Sequence, residues 1–141
     1  MIRTNQRFIP YIEELRKKGT YRIEVNAFGP KQTILEQDHR YSTVYLIKSG
    51  IVKCAISDEN GKEFIQEFLG EGMEFGELEV FSEKLTICSV TAVTYLETYS
   101  FSHSTYNQLL KKDEVFNNLV MKALADKIRY KAPRHSYQHS H

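Results

Sequence analysis

From Tyr21 to Phe101 the chain is cut into short runs rich in Val, Ile, Thr, Tyr and Phe, and none is apolar from end to end. The runs are YRIEV, QTILEQ, STVYLIKSG, IVKCAIS, KEFIQEFLG, TICSVTAVTY and LETYSF. Mixed polar and apolar positions of this kind describe strands with one face in water, which pair antiparallel rather than in a buried parallel sheet. Turn signals separate them at Phe28-Gly29-Pro30, Ser49-Gly50 and Asp58-Glu59-Asn60-Gly61. Asn-Gly between apolar runs favours a tight hairpin, because both residues accept a positive φ. Seven or so such strands predict a sandwich, roll or jelly roll.

Helical texture flanks the β region. Residues 5–18 place Phe8, Ile12 and Leu15 on one face, with Pro10 near the first turn and Gly19 as the stop. After His103 come a short helix, STYNQLLKK, and a longer one, DEVFNNLVMKALADKIRYK, begun by Asp113 and ended or broken at Pro133. The expected organisation is an N-terminal helix (1–18), a β-roll region (19–102), two closing helices (103–132), and a tail or linker (133–141). At 141 residues and a net charge of +1, this is one domain with no bulk field drawing it to nucleic acid or an anionic membrane. No stretch has the apolar length of a signal peptide or a membrane span. Two cysteines, Cys54 and Cys88, are too few for a disulfide framework, so a reduced cytoplasmic setting is expected.

The long helix is apolar over more than one stripe. Phe116, Val120, Ala123 and Lys127 form one line, with Val115, Leu119, Met121, Leu124 and Ile128 on its flanks. A helix lying on one sheet needs a single stripe of roughly 100°. The extra width predicts a homodimer through Phe116, Val120, Ala123, Leu124 and Lys127.

The segment GEGMEFGELEVF, Gly70 to Phe81, has the glycine spacing of a loop that cradles a phosphate at a helix start. Yet from Glu71 to Lys84 it carries Glu71, Glu74, Glu77, Glu79 and Glu83 against Lys84 alone. A cradle for an anion that is itself anionic needs another explanation. Gly70, Gly72 and Gly76 supplying tight turns or positive φ between roll strands is the structural one.

With these features in order, the chain resembles the sensor domain of the CRP/FNR family of bacterial transcription regulators. Four features carry the resemblance: VYLIKSGIVK (Val44–Lys53), DENGKEFI (Asp58–Ile65), the glycine cassette with Gly76-Glu77-Leu78, and the sequence of helix, roll and long helix. It implies a mainly β fold with flanking helices, a double-stranded β-helix or jelly roll of the cyclic-nucleotide-binding type, plus a C-terminal dimerisation helix. It also implies an effector pocket lined by Gly76, Glu77, Leu78, Ile87, Cys88 and Ser89, and a helix-turn-helix domain beyond the long helix. Partners would be a second copy, DNA through that further domain, and RNA polymerase in the full-length protein. The chain stops at the hinge, so the expectation is a truncated regulator or a stand-alone sensor module that does not read DNA by itself.

One departure decides the ligand. In cyclic-nucleotide-binding members the cassette leads to Arg-Ser/Thr-Ala, whose arginine pairs with the cyclic phosphate. Here that position falls on Ile87-Cys88-Ser89, and no arginine occurs between Arg40 and Arg129. An arginine at ~4 Å contributes about 4 kcal/mol at an effective dielectric near 20. Losing that weakens binding by roughly several hundredfold. Lys53 and Lys84 are the cations that could swing in, but neither occupies the arginine's place. The domain is therefore expected to ignore cyclic nucleotides, with an unknown small effector or none.

Other chemistry is thinner. Four cysteines for an iron–sulfur cluster are lacking, and Cys88 reads as a small buried hydrophobe rather than a redox sensor. A cupin-like metalloenzyme is the rival class, but no His-x-His lies on a strand; His39 and His103 stand apart, and His135 to His141 cluster in the tail. A stand-alone cyclic-nucleotide-binding module is the other alternative. No enzyme activity, metal or cofactor is implied.

Overall fold

The computed structural model describes residues 1–139, with side chains to Tyr130. In chain order the elements are β1 (Ile2–Arg3), α1 (Phe8–Lys18), β2 (Glu24–Phe28), β3 (Thr33–Leu35), β4 (Thr43–Ser49), β5 (Val52–Ser57), β6 (Glu63–Leu69), β7 (Glu74–Phe75), α2 (Leu78–Ser82), β8 (Ser89–Ala92), β9 (Leu96–Ser102), α3 (His103–Lys112) and α4 (Glu114–His139). They fall into two compact units, Met1–Asn107 and the part from Gln108 onwards.

In the first unit, one sheet has the order β1-β6-β5-β8-β3 and the other β2-β9-β4-β7. All the pairs are antiparallel except β1 on β6. This is the mainly β roll that the half-buried runs predict. The inner faces of both sheets supply one core of Leu35, Ile47, Val52, Cys54, Leu69, Met73, Phe75, Val90, Ala92 and Leu96. The β5–β6 hairpin turns where Asn60-Gly61 stands: Asp58 Oδ1 accepts from the backbone N–H of Asn60 and Lys62, both at 2.9 Å, and Gly61 takes φ +80°.

On the outer face of the β4–β9 pair, Val44, Leu46, Tyr99 and Phe101 are buried. Helix α1 buries Phe8, Ile12 and Leu15 and ends at Gly19, whose φ of +73° closes the C-cap. Its Glu13 accepts the Tyr99 hydroxyl at 2.9 Å, tying the helix to β9.

Three details differ from the sequence expectations. Strand β2 starts at Glu24, and β8 runs only from Ser89 to Ala92. Upstream of β8, Thr86 leaves the ladder to bind loop 36–39, its hydroxyl donating to the Glu36 carbonyl and accepting from His39 N–H. Helix α4 runs to His139, past Pro133. A helix interior absorbs a proline at a cost of about 3 kcal/mol and a lost hydrogen bond, so the break expected there is not obligatory.

In the second unit, Asp113 Oδ1 accepts from the Phe116 N–H at 2.9 Å, capping α4 as its position predicts. Phe116 and Val120 are 0% and 1% exposed in the single chain. In the single chain these two members of the expected dimer stripe are covered by its own side chains. Ala123, Leu124 and Lys127 are half-buried, whereas Val115, Met121 and Ile128 are exposed.

Candidate functional site

The cassette forms where β6 leaves its sheet and β7 joins the other one. Two positions there accept only glycine. Gly72 has φ +79°, and a Cβ on it would collide with the Asn5 backbone. Gly76 has φ +84°, and its Cβ would stand 2.8 Å from the Thr43 carbonyl oxygen. Chain crossing and backbone conformation thus account for these two glycines without any ligand.

Between them, β7 sends alternate side chains to opposite faces. Phe75 turns inward and stacks on Tyr45, with ring centroids 5.0 Å apart at 15°. Phe28 meets Tyr45 edge-on at 6.0 Å. Glu74 turns outward, is 3% exposed, and accepts the Tyr106 hydroxyl at 2.8 Å. Glu77, also 3% exposed, occupies the residue before α2, and Leu78 opens that helix with its side chain 40% exposed. Two carboxylates are therefore buried at the cassette. Burial first, and then the charges of Glu74 and Glu77, push the Tyr106 phenol far above its usual value, so it stays a donor.

Residues Ile87, Cys88 and Ser89 lead into β8, and the structure separates their roles. Cys88 packs part-buried against the roll core. The Ser89 hydroxyl accepts from the Gln37 N–H at 3.0 Å. Ile87 is 59% exposed. Gly76 comes close to Leu35, and Leu35 pairs with Val90, so β8 does run near the Gly76-Glu77-Leu78 turn. Of Phe75, Leu78 and Ile87, only Phe75 is buried.

Lys53 and Lys84 have other surroundings. Lys53 alternates with the core residues Val52 and Cys54, so it faces away from the interior and ion-pairs with Glu63 at 2.9 Å. Lys84 lines a separate cleft beside α2 with Arg40 and His103. Among the described residues, no group of His, Cys, Asp and Glu is arranged to hold a metal. No helix there is long and apolar enough to cross a membrane.

The interior has polar features that the sequence pattern hides. Asn26 and Thr98 pair across β2 and β9, and Thr98 shares its strand face with the core residue Leu96. Asn26 Oδ1 and Thr98 Oγ1 are buried without a hydrogen-bond partner among the described residues. Tyr45 is raised above its ordinary phenol value by burial and then by neighbouring Tyr41. Glu74 and His103 were also missed as site residues. Glu74 sits in an apolar alternation, Met73-Glu74-Phe75, which marks a strand but not what its outer face meets.

Residues 25–113 match the cyclic nucleotide-binding domain family. The cAMP-activated global transcriptional regulator CRP of Salmonella typhimurium is 33% identical over 88 residues, which is 62% of this chain and 42% of that protein. The chain thus spans under half the length of that relative. The catabolite activator protein of Thermus thermophilus superposes with a TM-score of 0.76 at 20% identity, over 94% of this chain and 61% of that one. The regulatory subunit of a cAMP-independent protein kinase A from Trypanosoma cruzi, bound to guanosine, gives 0.65 at 21% identity, over 84% and 41%. The glycine-crossed cassette, the two-sheet roll and the matched span agree: this chain belongs to the cyclic nucleotide-binding domain family, in company with the CRP-type regulators.

Proposed function

We propose that this chain is the effector-sensing and dimerisation domain of a CRP/FNR-type bacterial transcription regulator, and that its roll does not respond to cyclic nucleotides. The observation that carries the second half is Ile87, 59% exposed at the position where the family's arginine would meet the phosphate. A buried phosphate must exchange its hydration for charge-assisted hydrogen bonds. Here it would meet no arginine from residue 41 to 128, and the buried carboxylate of Glu77 stands at the same turn.

The ligand class that suits such a cradle is uncharged, a nucleoside rather than a nucleotide. The guanosine-bound kinase subunit, described as cAMP-independent, supports a nucleoside in a roll of this shape. Dimerisation would use the exposed apolar positions of α4, Met121 and Ile128 with half-buried Leu124. DNA would be read by a further C-terminal domain, in the cytoplasm, where effector occupancy shifts the balance between two DNA-reading states.

Calorimetry with guanosine and cyclic GMP tests the ligand class, because the two share a base and differ in charge. Guanosine binding more tightly than cyclic GMP supports the reading. Cyclic GMP binding more tightly overturns it.

A further inference from the structure

A cleft lined by charged and apolar side chains lies beside α2. Its volume is about 540 Å³, within the size range of small-molecule sites. Three stretches of the first unit build it. Arg40, Tyr41 and Ser42 form one wall, Glu79, Val80, Glu83 and Lys84 the second, and His103 with Asn107 the third.

The charges are of both signs. Among the described residues neither Arg40 nor Lys84 takes part in an ion pair. Arg40 reaches only the Glu83 carbonyl, at a long 3.4 Å. Two cations without carboxylate partners therefore share the cleft with two glutamates. At its third wall, His103 is held by a hydrogen bond to the Gly76 backbone, and its Nε2 is buried with no partner among the described residues. Val80 and the Tyr41 ring add apolar surface between the charged ends.

We propose that this cleft is a second ligand site that takes a small zwitterion, an α-amino acid. Its carboxylate meets Arg40 and Lys84, and its ammonium meets Glu79 and Glu83. Arg40 offers the planar fork that matches a carboxylate. Because His103 is bonded to Gly76 and α2 forms a wall, occupancy bears directly on the Gly76-Glu77-Leu78 turn.

The test titrates the standard L-α-amino acids one at a time into the full chain. It follows the His103 imidazole resonances by NMR and the heat by calorimetry. At least one amino acid should bind saturably with a dissociation constant below about 1 mM. Its N-acetyl derivative and its carboxamide should each bind roughly tenfold more weakly or worse, and so should the parent acid to Arg40→Ala. No response from any amino acid at about 10 mM overturns the proposal. So does an acetylated acid that binds as well as its parent, or an Arg40→Ala chain that binds unchanged. Guanosine affinity, measured on the same Arg40→Ala chain, should be unaltered, which separates this cleft from the roll interior.

Discussion

Ile87 and His103 are the two side chains on which the chemistry of the cassette turns, and each makes a measurable prediction. Ile87→Arg supplies the missing countercharge at an exposed position that tolerates a long polar chain. With the glycine crossing intact, an arginine near the phosphate is worth about 4 kcal/mol. Cyclic AMP affinity measured by calorimetry should therefore rise by roughly a hundredfold or more over the parent chain. A folded variant with no gain would mean that the cradle geometry itself is lost. His103 is lowered below its ordinary 6.5 by burial, against an opposing hydrogen bond to the Gly76 backbone. The folded state thus prefers the neutral ring. As pH falls below about 6.5, the unfolded chain takes up this proton before the folded one does, so stability declines until the folded pKa is passed. Urea midpoints at pH 7 and pH 5.5 should differ more for the parent chain than for His103→Gln.

At the scale of elements, α4 separates what a helix buries in its own chain from what it offers outward. Glutamate at Met121 and Ile128, both exposed, should weaken self-association in sedimentation by about tenfold or more while leaving the thermal midpoint nearly unchanged. Glutamate at Val120, 1% exposed, should instead unfold the chain or cost about 3 kcal/mol or more through an unpaired buried charge. If the Met121 and Ile128 double variant still associates as the parent does, α4 does not dimerise through that stripe. The apolar pattern of the sequence reveals that α4 has surplus apolar width, but a one-dimensional pattern cannot say which stripe its own chain already covers. Elsewhere the local signals hold. Asn60-Gly61 turns a hairpin, Gly19 and Asp113 cap helices, and the half-polar runs become antiparallel strands. What stays hidden is set by distant parts of the chain. Strand β1 exists because Ile2 and Arg3 align with Phe68 and Leu69, and no two-residue segment announces a partner 66 positions away.

For the molecule as a whole, the roll and its glycine crossings are kept by packing, so their survival says nothing about which ligand they serve. Gly72 and Gly76 are required by the Asn5 and Thr43 backbones, and Phe75 by its stack on Tyr45. That is why the cassette is legible in the sequence as a shape while its ligand is not. The ligand depends on charge at a few positions, and the proposed reading turns on Ile87, which is exposed, and Glu77, which is buried. The buried polar atoms of Asn26, Thr98 and His103 were beyond the reach of the pattern, because polar residues on half-buried strands and helix starts read as solvent-facing. The most direct measurement is a titration of the parent chain with cyclic AMP, followed by backbone amide NMR shifts around Gly76-Glu77-Leu78. The account predicts no saturable shift up to about 1 mM. Saturation at micromolar cyclic AMP, with the shifts centred on that turn, would contradict it.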